Sequence, residues 1–485
     1  MALARRLRHR PEPLSGPEPI AMDIFTALQT AVTGLKAQSY AIDNISGNIA
    51  NSQTTGYKRI DTSFVDLIAE QTPRHEVAGT VLAQSQLTNT IQGNITATSV
   101  PTNMALNGSG FFTVQTRTGD TNGQPTFSGT TVYTRRGDFT RDASGFLVNG
   151  AGSYLTGDNL DPVTGQVKSS GPIVVDGATL PARQTTSITY GANLPRTPTT
   201  ATSQAGGSSL YTATGATTTD TTQTVSGLTV ASTAASDFVD HSIVGPSLTA
   251  YTESGAPISV STRWAKVQDY TSPTQPAVWN LYYAANSSVV GSSSAWTNTG
   301  TAFAFNAAGQ LTSPAVSATT GVATATIPSL TVDGTNVGTI ALNLGKGALT
   351  QYASASGSVT TNTLKQDGYA AGTLNSLSVS TDGKIMGTYS NGSTLAVANV
   401  GIARFTNPDG LKAESGGNYS QTNDSGAALV GLNGATVVGG NVEQSNTDIA
   451  GEFSKMIVTQ QAYSANTRVM STAQSMMSDL LNVIR

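Results

Sequence analysis

Catalysis at neutral pH draws on a short list of side chains: histidine, cysteine, and carboxylates or lysines held close together. This chain is poor in them. Its 485 residues include three histidines and no cysteine. His9 sits in an N-terminal Arg- and Pro-rich stretch, His75 precedes Glu76, and His241 follows Asp240. None belongs to an HExxH helix or to a His/carboxylate cluster with metal-ligand spacing, so His75 and His241 read as solvated loop residues. The absence of cysteine removes disulfides, thiolate nucleophiles and thiolate zinc sites together. Gly108-Ser109-Gly110 and Gly345-Lys346-Gly347 are fragments of glycine-rich loops. Phe111 and Phe112 stand where a phosphate loop offers bare backbone, and the second fragment lacks Walker spacing, so both read as turns. Asn-x-Ser/Thr matches are expected in a chain so rich in Ser and Thr and carry no weight alone. With no convergent acid, base and nucleophile, the chain is not expected to be an enzyme, and no cofactor or metal is expected.

The composition narrows the partners. Lys plus Arg is 25 against 29 Asp plus Glu, a formal net charge of −4, and charged residues make up 11% of the chain. An ordinary soluble domain has about 25% charged residues. Nucleic-acid binding needs a basic surplus on one face and is not expected. No run of 18 apolar residues occurs, so no helix is expected to insert in a membrane. At about 150 residues per domain the length allows about three domains. Residues 1–21 are rich in Arg and Pro and lack the apolar core of a secretory signal. They read as a disordered tail or a misassigned start, with Met22 as the first residue of the patterned chain.

The patterned elements begin and end as helices. From Asp23 to Asn51 no proline intervenes, and apolar residues recur at helical spacing. One heptad frame lines up Leu28, Leu35, Ile42 and Ile49, with Phe25, Val32, Ser39 and Ser46 at the companion position. At the other end, Ser445 followed by Asp448 resembles a capping box. Ile449, Met456, Tyr463, Met470, Met477 and Ile484 then repeat every seven residues, accompanied by Phe453, Gln460, Thr467, Gln474 and Leu481. A helix over Thr447–Ile484, apolar on one narrow seam, needs a partner helix along most of its length. Pairing of the two terminal helices meets part of that need. Ser39, Ser46, Gln460, Thr467 and Gln474 make the joint seam too polar for a stable isolated pair, so packing on further copies is expected to complete the order.

Between the helices the period changes to two. Residues 99–160 and 374–405 show short alternating runs separated by turn residues. Asp142-Ala143-Ser144-Gly145 predicts a hairpin, and Asp382-Gly383 and Asn391-Gly392 predict a meander, since these residues tolerate positive φ. Residues 197–236 are dense in Thr, Ser, Ala and Gly, and residues 270–332 contain no Asp, Glu, Lys or Arg. A linker would not need Trp264, Trp279, Trp296, Leu281-Tyr282-Tyr283 or Phe303-Ala304-Phe305, so an inserted all-β domain is expected there.

Asn48-Ile49-Ala50-Asn51-Ser52-Gln53-Thr54-Thr55-Gly56-Tyr57-Lys58 closes the first helix. It resembles the N-I-A-N-x-x-T-x-G-Y-K signature of the bacterial flagellar rod and hook axial proteins. Asn51 suits a helix end or the left-handed region, Gly56 a tight reversal, and Tyr57 can pack back under the helix. The resemblance continues in Asn107-Gly108-Ser109-Gly110-Phe111-Phe112, Thr134-Arg135-Arg136-Gly137-Asp138-Phe139 and Gly145-Phe146-Leu147-Val148-Asn149. It extends to Gln366-Asp367-Gly368-Tyr369, Gly387-Thr388-Tyr389-Ser390-Asn391-Gly392 and Phe405-Thr406-Asn407-Pro408-Asp409-Gly410-Leu411, which are similar to the hook branch of that family. Ser445-Asn446-Thr447-Asp448 with Met456-Ile457-Val458-Thr459-Gln460-Gln461-Ala462-Tyr463 matches the shared last helix. Residues 1–21 have no counterpart in the family, and about 185–345 carry little recognisable pattern.

The resemblance implies a structural subunit of the flagellar hook, located in the hook and basal body, exported by the flagellar type III route and polymerising head-to-tail into a curved tube. The fold it implies is mainly β with long terminal α-helices that pair as a coiled-coil-like stem. That stem comprises 22–60 plus 445–485, followed by a discontinuous β domain (61–184 plus 346–444) and an inserted outer β domain (185–345). Implied partners are other copies of the chain, the distal rod, the hook cap, the hook–filament junction proteins and the export apparatus. Assembly residues would be those of the two heptad seams together with Asn48, Asn51, Gly56 and Tyr57. Ser-, Thr-, Ala- and Gly-rich outer surfaces would suit contacts that slide as a rotating tube bends. A distal rod protein of the same family and a secreted β-rich adhesin are the alternatives; the adhesin would not need paired terminal heptads.

Overall fold

The computed structural model describes residues 24–67, 71–72, 75–76, 80–121, 123–177, 179–212, 229–284 and 296–483. The reading of residues 1–21 and of Met22, the placement of Ile484 and part of the Thr-rich 197–236 stretch lie outside the described residues. Two long helices bracket the chain: α1 (Ile24–Ala50) and α2 (Ile449–Val483). At about 1.5 Å per residue, α2 spans roughly 52 Å. The described residues between them are mainly β. α1 and α2 pack against each other, and the antiparallel ribbon of β1 (Ile60–Leu67) and β2 (Thr80–Leu87) lies against α1.

The largest sheet has fourteen strands. Its centre is β3 (Phe111–Thr121) beside β4 (Ser153–Leu160). The meander Leu374–Val379, Lys384–Tyr389 and Thr394–Val400 extends it from the β4 side. The expected turns are present: Asp142 Oδ1 accepts hydrogen bonds from the Ser144 and Phe146 amides, and Gly383 and Gly392 take φ of +77° and +80°. Met104, Phe112, Phe139, Leu155, Ile385 and Val437 form this sheet's core.

Two further sheets face each other over residues 187–366. One contains β5 (Ser187–Asn193), paired with Thr335–Gly345 and with Thr360–Gln366. The other orders Thr262–Gln268, β6 (Ala277–Ala284) and Trp296–Phe305 side by side. Every residue of β6 is buried. Alternation explains this: Trp279, Leu281 and Tyr283 point into the core shared with β5, while Tyr282 and Ala284 join a second cluster with Tyr211, Phe238 and Trp296. The charge-free stretch therefore supplies much of a packed core through Trp279, Leu281, Tyr283, Phe303 and Phe305, and flanking Trp264 donates its Nε1–H to the Tyr190 hydroxyl at 3.2 Å.

Candidate assembly site

The two chain ends meet where α1 stops and α2 starts, and the signature segment builds the joint. Asn51 ends α1: its Nδ2 donates to the Gly47 carbonyl at 2.9 Å, and its Oδ1 accepts from the Thr54 hydroxyl at 3.1 Å. Its own φ is not positive, so it closes the helix with its side chain and not by left-handed backbone. Gly56 makes the reversal at φ +68°, and an added Cβ would come within 2.6 Å of the Arg136 nitrogen. Only glycine fits both the angle and the space.

Asn48 is buried and uses both faces of its amide. Oδ1 accepts from the Ile60 amide at 2.8 Å and the Tyr57 hydroxyl at 3.1 Å; Nδ2 donates to the Ile60 carbonyl at 2.9 Å and to Glu452 Oε2 at 3.0 Å. One side chain thus ties α1, the strand that follows it, and α2. Burial raises the Tyr57 phenol above its usual range, and the Glu452 carboxylate adds to the rise. Asn446, just before α2, accepts from the Arg59 amide at 2.8 Å and donates to the Ile91 carbonyl at 3.1 Å.

Beneath this lies a buried charge cluster. Lys58 Nζ lies 2.5 Å from Glu443 Oε1, and Arg135 reaches Glu443 Oε2 at 3.2 Å. Lys58 also donates to the Ile91 carbonyl, Arg135 to the Gly108 carbonyl, and Glu443 accepts from the Gly93 amide. The side chains of Lys58 and Glu443 are wholly buried, and that of Arg135 is nearly so. Desolvation pulls both cations below their ordinary values, against the opposing attraction of Glu443. Two buried cations sharing one carboxylate require fixed geometry, because a buried charge without its partner is costly. The cluster joins the signature segment, the Thr134–Phe139 motif and the approach to α2 at one point. Such a joint can hold elements in register.

The helix pair itself departs from the heptad expectation. α1 buries Ala31, Gly34, Ala37, Ala41, Ile45 and Asn48. α2 answers with Glu452, Thr459 and Ala473, while Asn466 lies so close that a Cβ on Gly34 would sit 3.0 Å from its Nδ2. Apart from Ile45, the seam is made of small and polar residues. The aligned Leu28, Leu35, Ile42 and Ile49, and Val32, lie beside it, half-buried. On α2, Met456, Met470 and Met477 are half-buried, whereas Ile449, Phe453, Tyr463 and Leu481 are exposed. Phe25 belongs to α1, but its side chain lies outside the described residues, as does Ile484. Close helix approach explains the rotation: Ala and Gly let the backbones come near, and bulky side chains are displaced to the flanks. The capping box also resolves differently. Asp448 caps α2 directly, accepting from the Ala450 amide at 3.1 Å, and Ser445 accepts from the Thr447 amide before the helix starts.

Sequence reasoning set Asn48, Asn51, Gly56 and Tyr57 at the close of the first helix, as assembly residues, and the structure brings them together where α1 stops. It missed Glu443, Arg135 and Glu452 as their partners. Arg135 lay inside a quoted motif; Glu443 had no local signal beyond being a rare acid in a charge-poor chain. His241 Nδ1 lies 2.8 Å from the Asp237 carbonyl at the end of a short helix, and among the described residues no cluster of three or more His, Asp or Glu has metal-binding spacing.

Comparison with known proteins finds matches along most of the chain. Residues 28–58 match a flagella basal body rod protein model and 105–193 the flagellar hook protein FlgE/F/G D1 domain. Residues 244–369 match the flagellar basal body protein FlaE D2 domain, and 438–483 the flagellar basal body rod FlgEFG protein C-terminal model. The chain is 28% identical to the flagellar hook protein FlgE of Brucella abortus, covering 96% of this chain and all of that protein. It is 29% identical to FlgE of Rhizobium meliloti at the same coverage, and 28% to that of Salmonella typhimurium over 93% of this chain and 98% of that one. The crystal structure of Helicobacter pylori FlgE2 aligns with TM-score 0.43 and 14% identity, covering 70% of this chain and 98% of that one. The segments that build the joint thus fall within or beside matched regions, and the chain belongs to the flagellar hook protein family, as a structural subunit of the hook.

Proposed function

We propose that the chain polymerises head-to-tail through its terminal helices into the curved, flexible tube of the hook and transmits torque between rod and filament. The observation that carries this is the inverted helix pair. Small and polar residues fill the seam within one subunit, while Phe453, Ile457, Val458, Val469 and Met476 are left 49–65% exposed. An isolated pair with that distribution gains little from burial, and copies packed on its flanks gain more. α1 and α2 act as a coiled-coil-like stem lining the tube, with the large sheet outside it. The facing sheets form an inserted outer domain, and the pairing of Thr360–Gln366 with β5 supports extending that domain from about 185 to about 366.

Copies of the chain are the principal partners. Contacts to the distal rod, hook cap and hook–filament junction proteins, and passage through the type III export apparatus, follow from a place in this assembly. The outer domain's small-residue surfaces supply contacts that slide as the tube bends. Hydrogen exchange of the full chain, before and after polymerisation, tests the reading. Amides of α1 and α2 should exchange quickly in dilute monomer and become protected in tubes. Full protection in a monomer that builds no tubes overturns it.

A further inference from the structure

The two apolar flanks of α2 are different in kind, and this sets which surface meets which. At about 100° per residue, Phe453 lies roughly 100° to one side of Glu452, and Val458 roughly 120° to the other. Glu452 marks the intramolecular seam. On the first flank, Ile449, Phe453 and Ile457 stand at i, i+4 and i+8 with exposures of 42%, 50% and 56%, an uncharged ridge. On the second, Val458 and Phe64 of β1 flank a groove of about 720 Å³ whose floor includes the buried Ala41 and Ile45 of α1. Phe64 is 46% exposed and Val458 65% exposed. The charged groups in the groove are spent on one another: Lys455 lies 2.8 Å from Asp61 and 2.9 Å from Glu452, and Arg59 lies 3.1 Å from Asp61. Two cations and two carboxylates leave no net charge, so an uncharged apolar occupant fits.

We infer that the Ile449–Phe453–Ile457 ridge of one subunit seats in the Ala41–Ile45–Phe64–Val458 groove of the next. This rests on the polymer reading above and assigns its pairing. Ridge and groove lie on opposite flanks of one helix, so a subunit fills its neighbour's groove while presenting its own to a third. That is a heterologous contact, which propagates around a tube; an isologous contact would stop at a dimer.

The chain contains no cysteine, which makes the test clean. Chains carrying Phe453→Cys alone and Phe64→Cys alone are mixed, polymerised and oxidised. Disulfide-linked dimers should dominate in the mixture, at least tenfold above either chain polymerised by itself, because the two cysteines never share one molecule. Ile457→Cys mixed with Val458→Cys repeats the measurement if either phenylalanine variant fails to fold or to enter tubes. Intact tubes whose mixtures give no more dimer than a control pair of Phe453→Cys and Val430→Cys overturn the pairing and leave the polymer reading standing. Abundant dimers from Phe453→Cys alone overturn it as well, since they mark an isologous contact. Absence of tubes from the unmodified chain overturns the polymer reading itself.

Discussion

The helical stem and the facing sheets solve the same problem in opposite ways. In the sheets, large apolar side chains point inward: Trp264 and Trp279 are wholly buried, and strand β6 exposes no residue. In the stem the inner seam is Ala, Gly, Thr, Asn and Glu apart from Ile45, and Ile449, Phe453, Ile457 and Val458 of α2 point outward. The sheets therefore hold their stabilising surface within one molecule, and the stem leaves much of its own exposed. What the stem does fix internally is polar: Asn48, Lys58, Arg135, Glu443 and Glu452 set where the helices begin and end, and hydrogen bonds define angles more strictly than apolar contact does.

The largest expected effect strikes the joint. Glu443→Gln removes the carboxylate shared by Lys58 and Arg135 and leaves two buried cations without a counter-charge. Breaking a buried pair in this way costs about 3–5 kcal/mol. Denaturant titration should show the loss, and near-native stability of the variant would mean that water reaches the cluster and the stem is not anchored by charge. Asn48→Ala should be milder, since it removes the hydrogen bonds to Ile60, Tyr57 and Glu452 without burying a new charge, and should still loosen the link to Glu452.

The sheets should fail in alkali. Burial pushes the Tyr190 hydroxyl up to about 12 from an ordinary 10, while the hydrogen bond from Trp264 partly opposes the rise. The native state then holds its proton more tightly than the unfolded chain does. This contribution, ~3 kcal/mol at 1.36 kcal/mol per pH unit, is fully present below pH 10 and is lost as the pH rises through 12. Desolvation also raises Tyr211 and Tyr283. Alkaline titration followed by tyrosinate absorbance and circular dichroism should show cooperative unfolding above pH 10, and Tyr190→Phe should move its onset upward. Gradual ionisation of these tyrosines without loss of structure would break the contrast, because it would mean the sheet core is open to solvent.

How far these regions could be read in the sequence follows from the range of the forces involved. Helix ends, turns and strand alternation are local, so Asp142, Gly383, Gly392 and the limits of α1 and α2 were legible to within a few residues. The signature from Asn48 to Lys58 was legible because a helix stop and a reversal must be written in adjacent residues. Glu443 was not, since its partners Lys58 and Arg135 are hundreds of residues distant and no spacing rule links them. The seam was misjudged for a related reason. Periodicity finds bulky apolar stripes and assumes they face inward, but α2 leaves Ile449, Phe453 and Leu481 exposed beside a seam of smaller residues. Ala31, Gly34 and Ala41 look unremarkable in a hydrophobic pattern, although their smallness permits the close approach of α1 and α2.

The smallest effect on the isolated subunit should be the most telling. Phe453→Ser replaces a half-exposed side chain that takes no part in the α1–α2 seam. Surface changes of this sort move stability by about 0.5 kcal/mol or less. The unfolding midpoint of the monomer should therefore be nearly unchanged, while sedimentation and electron microscopy should show tube formation reduced or abolished. A core position such as Trp279 cannot behave this way, because its contacts are all made before any neighbour arrives. Should Phe453→Ser instead destabilise the monomer by several kcal/mol, α2 would be using that flank internally, and the distinction between a stem that stores apolar surface and sheets that consume it would be lost. If the monomer is unaffected and tubes still form normally, the ridge is idle and the stored surface lies on the Val458, Val469 and Met476 flank.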